Sequence, residues 1–319
     1  MPRSPVQIIS DIDTACNGVC QHRKRDLLVM FYPGGARITE WDIRDTYSQL
    51  RSAASRENPI SKLDLLIHTN GGDPVAAYRI AQVIRSLCAQ MDVMVPDRAY
   101  SAGTLLSFAG DKIRLGDYAG LSPIDITVSD RGGRSSEDVQ LAAIDSFVEF
   151  ARAARQQIEH ALVNGGLSGA TSSVDSDLLV QMVKEVGALT VGRYYRERTL
   201  TGHYAEVLLD RYMFNGVSDG TDRRTNVIRN FLFLAPAHEF HLDYELCKNW
   251  QLDVAQMSTA ESDLSKKVVT SLRIAVSNGI ICQRLNNDVR MPFIRLYKYT
   301  ARRTGGQNGR QGRQRTRNA

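Results

Sequence analysis

Long apolar runs are missing from this 319-residue chain. No stretch approaches the roughly 18 consecutive apolar residues that a membrane-spanning helix needs. The opening Met1-Pro2-Arg3-Ser4-Pro5 runs into polar and acidic residues instead of the apolar core of a secretory signal. A membrane is therefore not an expected partner, and a cytoplasmic location is. Cysteine is sparse as well: five residues scattered over the chain cannot form a disulfide framework. Cys16, Cys20 and His22 lie close together but lack a fourth ligand, so no metal is expected. Cys88 and Cys247 fall in helical apolar patterns and read as core. A Gly-x4-Gly-Lys-Ser/Thr loop is also lacking, so neither ATP nor another cofactor is implied. Acidic charge, finally, is absent from Arg302 to Ala319. That stretch carries six arginines, and without them the formal net charge of +5 becomes −1. The basicity belongs to a Gly/Gln/Arg tail that cannot pack a core and is expected to be disordered. Such a tail either solubilises the chain or contacts nucleic acid or another polyanion.

Strand and helix patterns in alternation are what the chain does contain, with 43% hydrophobic and 24% charged residues, ordinary for a soluble protein. Asp26 to Tyr32 predicts a buried strand closed by Pro33-Gly34-Gly35. Thr39 is then an N-cap for a helix through about Ala54, with Glu40 and Asp42 in its first turn. Asp64 to His68 is an apolar run that stops at a glycine pair, and Val75 to Cys88 repeats apolar residues at helical spacing. Val93 to Val95 predicts the next strand, ended by Pro96. A loop delivers Ser101 ahead of a helix from Ala102 to Ala109, and Ile113 to Leu115 leads into Ser122-Pro123-Ile124-Asp125. This order argues for an α/β fold with a parallel sheet and with sites at the carboxyl ends of the strands. Beyond Asp125 the helical pattern dominates, over Glu137 to Val163, Leu178 to Val186 and Val191 to Tyr212. Val227 to Leu234 reads as a strand, Asp243 to Trp250 as a helical turn, and Glu261 onward as an amphipathic helix. Residues 1–25 show few apolar residues in any period and are expected to be a loosely ordered arm.

Two of the strand ends carry a chemical implication. A serine at a helix N-terminus, here Ser101, sits where free backbone N–H groups favour negative charge. A glycine-rich turn, here Asn70-Gly71-Gly72, lets a second stretch of backbone turn its N–H groups to the same point. Together they describe a nucleophile beside an oxyanion hole, the main electrostatic requirement of acyl transfer. Taken singly, Ser101 reads equally as an ordinary N-cap and the glycine pair as an ordinary strand-to-helix turn.

Asn70-Gly71-Gly72, then Ser101-Ala102-Gly103-Thr104, then Ser122-Pro123-Ile124-Asp125 resembles, in that order, the serine dehydrogenase proteinase family. That family falls in the class of Clp-protease proteolytic subunits and signal peptide peptidase A. Ala237-His238-Glu239-Phe240, with Glu245, Lys248 and Leu252, is similar to the family's Thr-His-Asp-Tyr stretch and following helix. The resemblance runs from about Asp26 to Val254. It implies a crotonase-like (Clp-protease-type) α/β fold of repeated β-β-α/βαβ units with a helical excursion, and a likeness to proteins that assemble as homo-oligomers. The domain expectation is a Clp-protease-like domain over 26–254, a C-terminal helical extension over 255–300 and a tail over 301–319. The implied activity is that of a serine peptidase acting on a peptide or protein. Ser101 would be its nucleophile, with Gly71, Gly72 and Ala102 forming the oxyanion hole.

The proton acceptor is less defined. Clp-type subunits place a histidine about 25 residues after the serine, where this chain has Ile126. Signal peptide peptidases use a lysine after the serine, and none lies between Lys112 and Lys184. Three candidates follow: His238 as the base, suited to neutral pH by its ordinary pKa; Asp125, to orient it or position a water; and Lys184, on a helix that could fold back. His241 is expected to point elsewhere, and His68 reads as structural at the sheet edge. Two other readings use the same scaffold. One is a crotonase-like enzyme binding acyl-CoA through the paired N–H groups. The other is a non-catalytic assembly or nucleic-acid-binding protein acting through its basic tail.

Overall fold

A computed structural model describes residues 4–124, 188–235, 237–238, 240–282, 284–285, 289–290 and 292–300. Asp125, Lys184, the helices expected over 137–163 and 178–186, and the tail from 301 lie outside the described residues.

The elements in order are α1 (Pro5–Arg23), β1 (Asp26–Phe31), α2 (Trp41–Arg51), β2 (Ile60–His68), α3 (Pro74–Leu87), β3 (Cys88–Val95), β4 (Arg98–Ala99), α4 (Ala102–Ser107), β5 (Lys112–Leu115) and β6 (Gly120–Leu121). After the gap come α5 (Ala188–Leu208), continued by a π-helical turn Leu209–Met213, and α6 (Gly220–Arg229), continued by a second, Asn230–Leu234. They are followed by α7 (Tyr244–Asn249), β7 (Val254–Gln256), α8 (Thr259–Ser277), the short strands β8 (Arg284–Leu285) and β9 (Val289–Arg290), and β10 (Phe293–Tyr297).

Among the described residues six strands form the main sheet, in the order β10-β1-β2-β3-β5-β7. Strands β1, β2, β3, β5 and β7 run parallel, and β10 closes one edge antiparallel to β1. Alternation along each strand sends side chains to two faces. Leu28, Met30, Leu65, Ile67, Val93 and Ile113 join the larger core with α3 and α4, whereas Leu27, Val29, Phe31, Leu66 and Met94 face α1 and α8. Helices thus cover both faces, as a parallel sheet requires. The fold is α/β with a central parallel sheet, as expected of the ClpP-like and crotonase-like architecture.

Segments near both ends of the described residues are part of this core, which corrects the expectation of a loose N-terminal arm. Residues 5–23 are not a loose arm: Ile8, Ile12, Ala15, Cys16, Val19 and Cys20 line one buried face of a helix. Its start is fixed by Pro5 at the first helical position and a capping box between Ser4 and Gln7. Segment 255–300, expected as a helical extension, does contain the helix α8, which packs with α1 in the second layer, and it adds β10, which completes the sheet beside β1. A second correction concerns Val227 to Leu234, which continues α6 as a helix; Val227, Phe231 and Leu232 bury one helical side.

Between the sheet and the α1/α8 layer lies a balanced charge cluster. Arg23 pairs with Asp64 at 2.9 Å, Asp92 at 2.8 Å and Glu261 at 2.8 Å. Arg25 meets Asp64 at 2.7 Å and Arg114 meets Asp92 at 2.9 Å. Burial pushes the Asp92 carboxyl up, but the Arg114 hydrogen bond and the charges of Arg25, Arg114 and Arg23 outweigh it and hold it below the ordinary range. Burial likewise raises Glu261, and the hydrogen bonds from Ser258 with the Arg23 and Arg114 charges bring it below its usual value.

Candidate active site

A second, smaller set of pairings stands at the carboxyl ends of β2 and β3. Strands β4 and β6 run parallel, Thr69 pairs with Ala99 beyond the end of β2, and Leu242 pairs with Leu121 on the far side. The backbone N–H of Thr69 donates to Arg98 O at 3.1 Å and that of Tyr100 to Thr69 O at 3.2 Å. This ties the end of β2 to the residue before Ser101.

The glycine turn is built by what surrounds it. Thr69 Oγ1 accepts from the Gly71 N–H at 3.0 Å. Ile38 clamps the other side: its N–H donates to Gly71 O, and its carbonyl accepts from the Asp73 N–H, both at 2.9 Å. Gly71 has φ +108 and Gly72 φ +154, conformations that favour glycine. A Cβ on Gly72 would lie 2.3 Å from Ile38 O, so this approach excludes a side chain. Asp73 then caps α3, its carboxylate accepting from the Val75 N–H at 2.8 Å.

Ser101 stands at φ 52 and ψ −116, ahead of α4. A residue other than glycine in such a region is strained by about 1–3 kcal/mol and persists only where its surroundings over-determine it. Those surroundings are explicit. The Ser101 N–H donates to Ser122 Oγ at 2.7 Å, the Gly103 N–H to Tyr100 O at 2.8 Å, and the Leu105 N–H to Ser101 O at 3.0 Å. Gly103 lets α4 press against the end of β2, since a Cβ there would meet Thr69 Cγ2 at 2.3 Å.

The two loops meet at the serine side chain. A Cβ on Gly71 would lie 2.8 Å from Ser101 Cβ and 3.3 Å from its Oγ. Ser101 is half-buried, not sealed in the interior. Among the described residues the backbone N–H groups of Gly72 and Ala102 donate to no backbone acceptor. The Gly71 N–H, expected to belong to the oxyanion hole, is already taken by Thr69; what Gly71 supplies is the absence of a side chain. A hydroxyl on bare glycine backbone, with amides of both loops uncommitted nearby, matches what attack on a carbonyl would use.

The histidines divide. His68 is not at the sheet edge: it ends the inner strand β2, buried and stacked on Phe31 with ring centroids 5.0 Å apart, on the α1/α8 face. Its Nδ1 is 3.3 Å from an Asp97 carboxylate oxygen, yet burial, helped by the Arg98 charge, pushes its pKa down to about 4. Burial thus favours the neutral ring, and the stacking on Phe31 fits a structural role. His238 lies half-buried in the turn between the second π-helical turn and Leu242. His241 does not point away: its Nδ1 is 3.1 Å from the hydroxyl of Tyr100, the neighbour of Ser101. Its ring sits over Gly120, where a Cβ would lie 2.0 Å from it. Among the described residues no side chain hydrogen-bonds the Ser101 hydroxyl.

The roles of three contributors were missed in the sequence. Thr104 Oγ1 lies 2.7 Å from Ala99 O and 2.9 Å from Ser122 O, and accepts from the Ser122 N–H at 3.1 Å. Ser122 and Thr69 are described above. Asp42 lies in the first turn of α2 as expected, but the N-cap is Glu40 and not Thr39, and the Asp42 carboxylate also turns back to accept from the Thr39 N–H at 2.8 Å and the Tyr32 hydroxyl at 3.1 Å. Burial pushes its pKa up to about 6. For Thr69 and Thr104 a hydroxyl close to apolar residues is the only local sign, and for Asp42, among charged neighbours, there is none.

Residues 21–141 match the model of a family described as ClpP-like SDH-type serine proteinase. Two uncharacterized proteins of Methanocaldococcus jannaschii are similar in sequence, one 38% identical over 104 residues, 33% of this chain and 35% of that protein. The other is 32% identical over 104 residues, 33% and 34% of the two chains. The match spans about a third of the length of these relatives. Among solved structures, two mutants of the 1510-N membrane-bound stomatin-specific protease align. The first, in complex with a substrate peptide, has 13% identity and a TM-score of 0.39 over 71% of this chain and 74% of that one. The second has 12% identity and a TM-score of 0.40 over 73% and 80%.

Proposed function

We propose that the chain, matched over residues 21–141 by a ClpP-like serine proteinase family, hydrolyses peptide bonds through an acyl-enzyme on Ser101. The observation that carries this reading is the meeting of the strained Ser101 with the bare backbone of Gly71, beside Gly72 and Ala102 N–H groups that donate to no backbone acceptor among the described residues. In the proposed reaction Ser101 Oγ attacks the scissile carbonyl while its proton passes to a base. The amides of Gly72 and Ala102 stabilise the oxyanion. The base returns the proton to the leaving amine, and water then hydrolyses the ester by the same route. His238 is the proposed base, with Asp125 orienting it or positioning the water; Lys184 is the alternative. No cofactor enters this scheme.

The test is covalent. A fluorophosphonate should label the wild-type protein at Ser101, and Ser101→Ala should abolish both labelling and peptide hydrolysis, a loss of about 10³-fold or more. Labelling that persists at another residue in Ser101→Ala removes Ser101 from the mechanism. Hydrolysis of an acyl-CoA thioester that survives the same substitution would favour a serine-independent thioester enzyme on this scaffold.

A further inference from the structure

We propose that Ser122 is a positioning residue whose buried hydroxyl holds Ser101 in its strained conformation and so sets the direction of the nucleophile. The inference rests on the peptidase reading above and adds a residue to it. Its basis is the balance of hydrogen-bond donors around Ser101. With φ 52 and ψ −116, Ser101 belongs neither to β4 nor to α4, so its own N–H has no place in a ladder. That N–H donates to Ser122 Oγ at 2.7 Å, and Ser122 is only 1% exposed. The Ser122 hydroxyl in turn donates to Pro123 O at 3.1 Å. With its hydrogen committed there, the oxygen meets Ser101 as an acceptor, and the two bonds polarise one another.

Ser122 is itself held by α4. Its N–H donates to Thr104 Oγ1 at 3.1 Å, and the same hydroxyl lies 2.9 Å from Ser122 O. Thr104 stands three residues after Ser101, so the hydroxyl that fixes the serine backbone is pinned to the helix that the serine opens. A shift of Ser122 therefore moves with α4 and leaves the Ser101 geometry intact. Occupying the Ser101 N–H has a second effect. It keeps that amide away from the reacting carbonyl, so the oxyanion is met by the Gly72 and Ala102 amides alone.

A buried serine that merely satisfies a turn would affect folding and nothing else. The two roles separate in Ser122→Ala, and in the nearly isosteric Ser122→Cys if the alanine variant does not fold, sulfur being a weak acceptor. The wild type should show a slowly exchanging Ser101 amide. In the variant that protection should be lost, while the amides of Leu105 and Leu106 in α4 stay protected. Fluorophosphonate labelling of Ser101 and kcat should fall by about tenfold or more with KM unchanged, since a misplacement near 1 Å can cost about 10²-fold. A folded variant that labels at the wild-type rate, or that keeps the Ser101 amide protected, overturns the inference and leaves the Ser101 mechanism standing. A wild-type protein never labelled at Ser101 sinks the peptidase reading and the catalytic role of Ser122 together, and the exchange arm then decides whether the hydroxyl holds this turn.

Discussion

Beneath α1 and α8, Arg23, Arg25 and Arg114 each lie 2.7–2.9 Å from a carboxylate. At the carboxyl end of β2, by contrast, the amides of Gly72 and Ala102 donate to no backbone acceptor among the described residues. Both places hold polar groups against apolar surroundings, and they are organised for opposite ends. A charge removed from water must be matched in the folded state, because an unmatched one costs several kcal/mol. An amide left open costs less, roughly 1–3 kcal/mol if fully buried, and is worth retaining only where charge arrives later. The ion cluster serves the fold, whereas in the peptidase reading proposed above the open amides and the strained serine serve a reaction.

Substitutions on each side should therefore separate stability from chemistry. Arg23→Met should have the largest effect on stability. It leaves Asp64, which is 1% exposed, with one arginine and takes a partner from Asp92 and Glu261. Breaking a buried pair from one side costs about 3–5 kcal/mol, readable in the urea midpoint. The fraction that remains folded should label at Ser101 at the wild-type rate; a slowed rate would show that the two regions are coupled. Gly71→Ala should do the reverse. Its Cβ would lie 2.8 Å from Ser101 Cβ and 2.9 Å from Tyr100 O, on a backbone at φ +108. The serine must move, so kcat/KM should fall by about 10²-fold or more, with a stability loss of about 1–3 kcal/mol. Unchanged labelling in Gly71→Ala would mean that the close approach of the loops does not matter to the nucleophile.

The same contrast explains what was legible in the sequence. Gly71, Gly72 and Ser101 announced themselves because glycine pairs and strand-end serines are local punctuation, written in adjacent residues. Ser122 was visible as a motif residue but its partner was not: that is set by the register of β4 on β6, Arg98 opposite Gly120, which no short window contains. His241 reaches Tyr100 across 141 residues of chain, and it was read as turned away for the same reason. Helix α1 was missed although Ile8, Ile12, Cys16 and Val19 follow helical spacing. Part of its buried face is alanine and cysteine, and its partner α8 lies at the other end of the chain. Val227 to Leu234 failed differently. A short apolar run of β-branched and aromatic residues fits either period, and the burial of Val227 with Phe231 decides for the helix only once the fold is in hand.

The smallest predicted effect tests whether Asp42 responds to pH with the opposite sign to Asp92 and Glu261. Asp92 and Glu261 titrate below their ordinary values, so their contribution to stability is present at neutral pH and is lost as pH falls through the ordinary carboxylate range and below it. Asp42, in the first turn of α2 shortly after Ile38, is the reverse case. Its folded pKa is raised from 3.8 to about 6. The folded state therefore binds the proton more tightly than the unfolded chain, and this contribution is fully present below pH 3.8 and lost as pH rises through about 6. The difference corresponds to about 1–3 kcal/mol. Asp42→Asn keeps an acceptor for the Thr39 N–H and a polar group for the Tyr32 hydroxyl, but has no proton to lose. Its stability relative to wild type should rise by about that amount between pH 4 and pH 7, measured as the shift in urea midpoint at the two pH values. The acid-side loss carried by Asp92 and Glu261 should remain in the variant unchanged. A variant that tracks wild type across the whole interval would show that Asp42 ionises without penalty and that its surroundings are open to water.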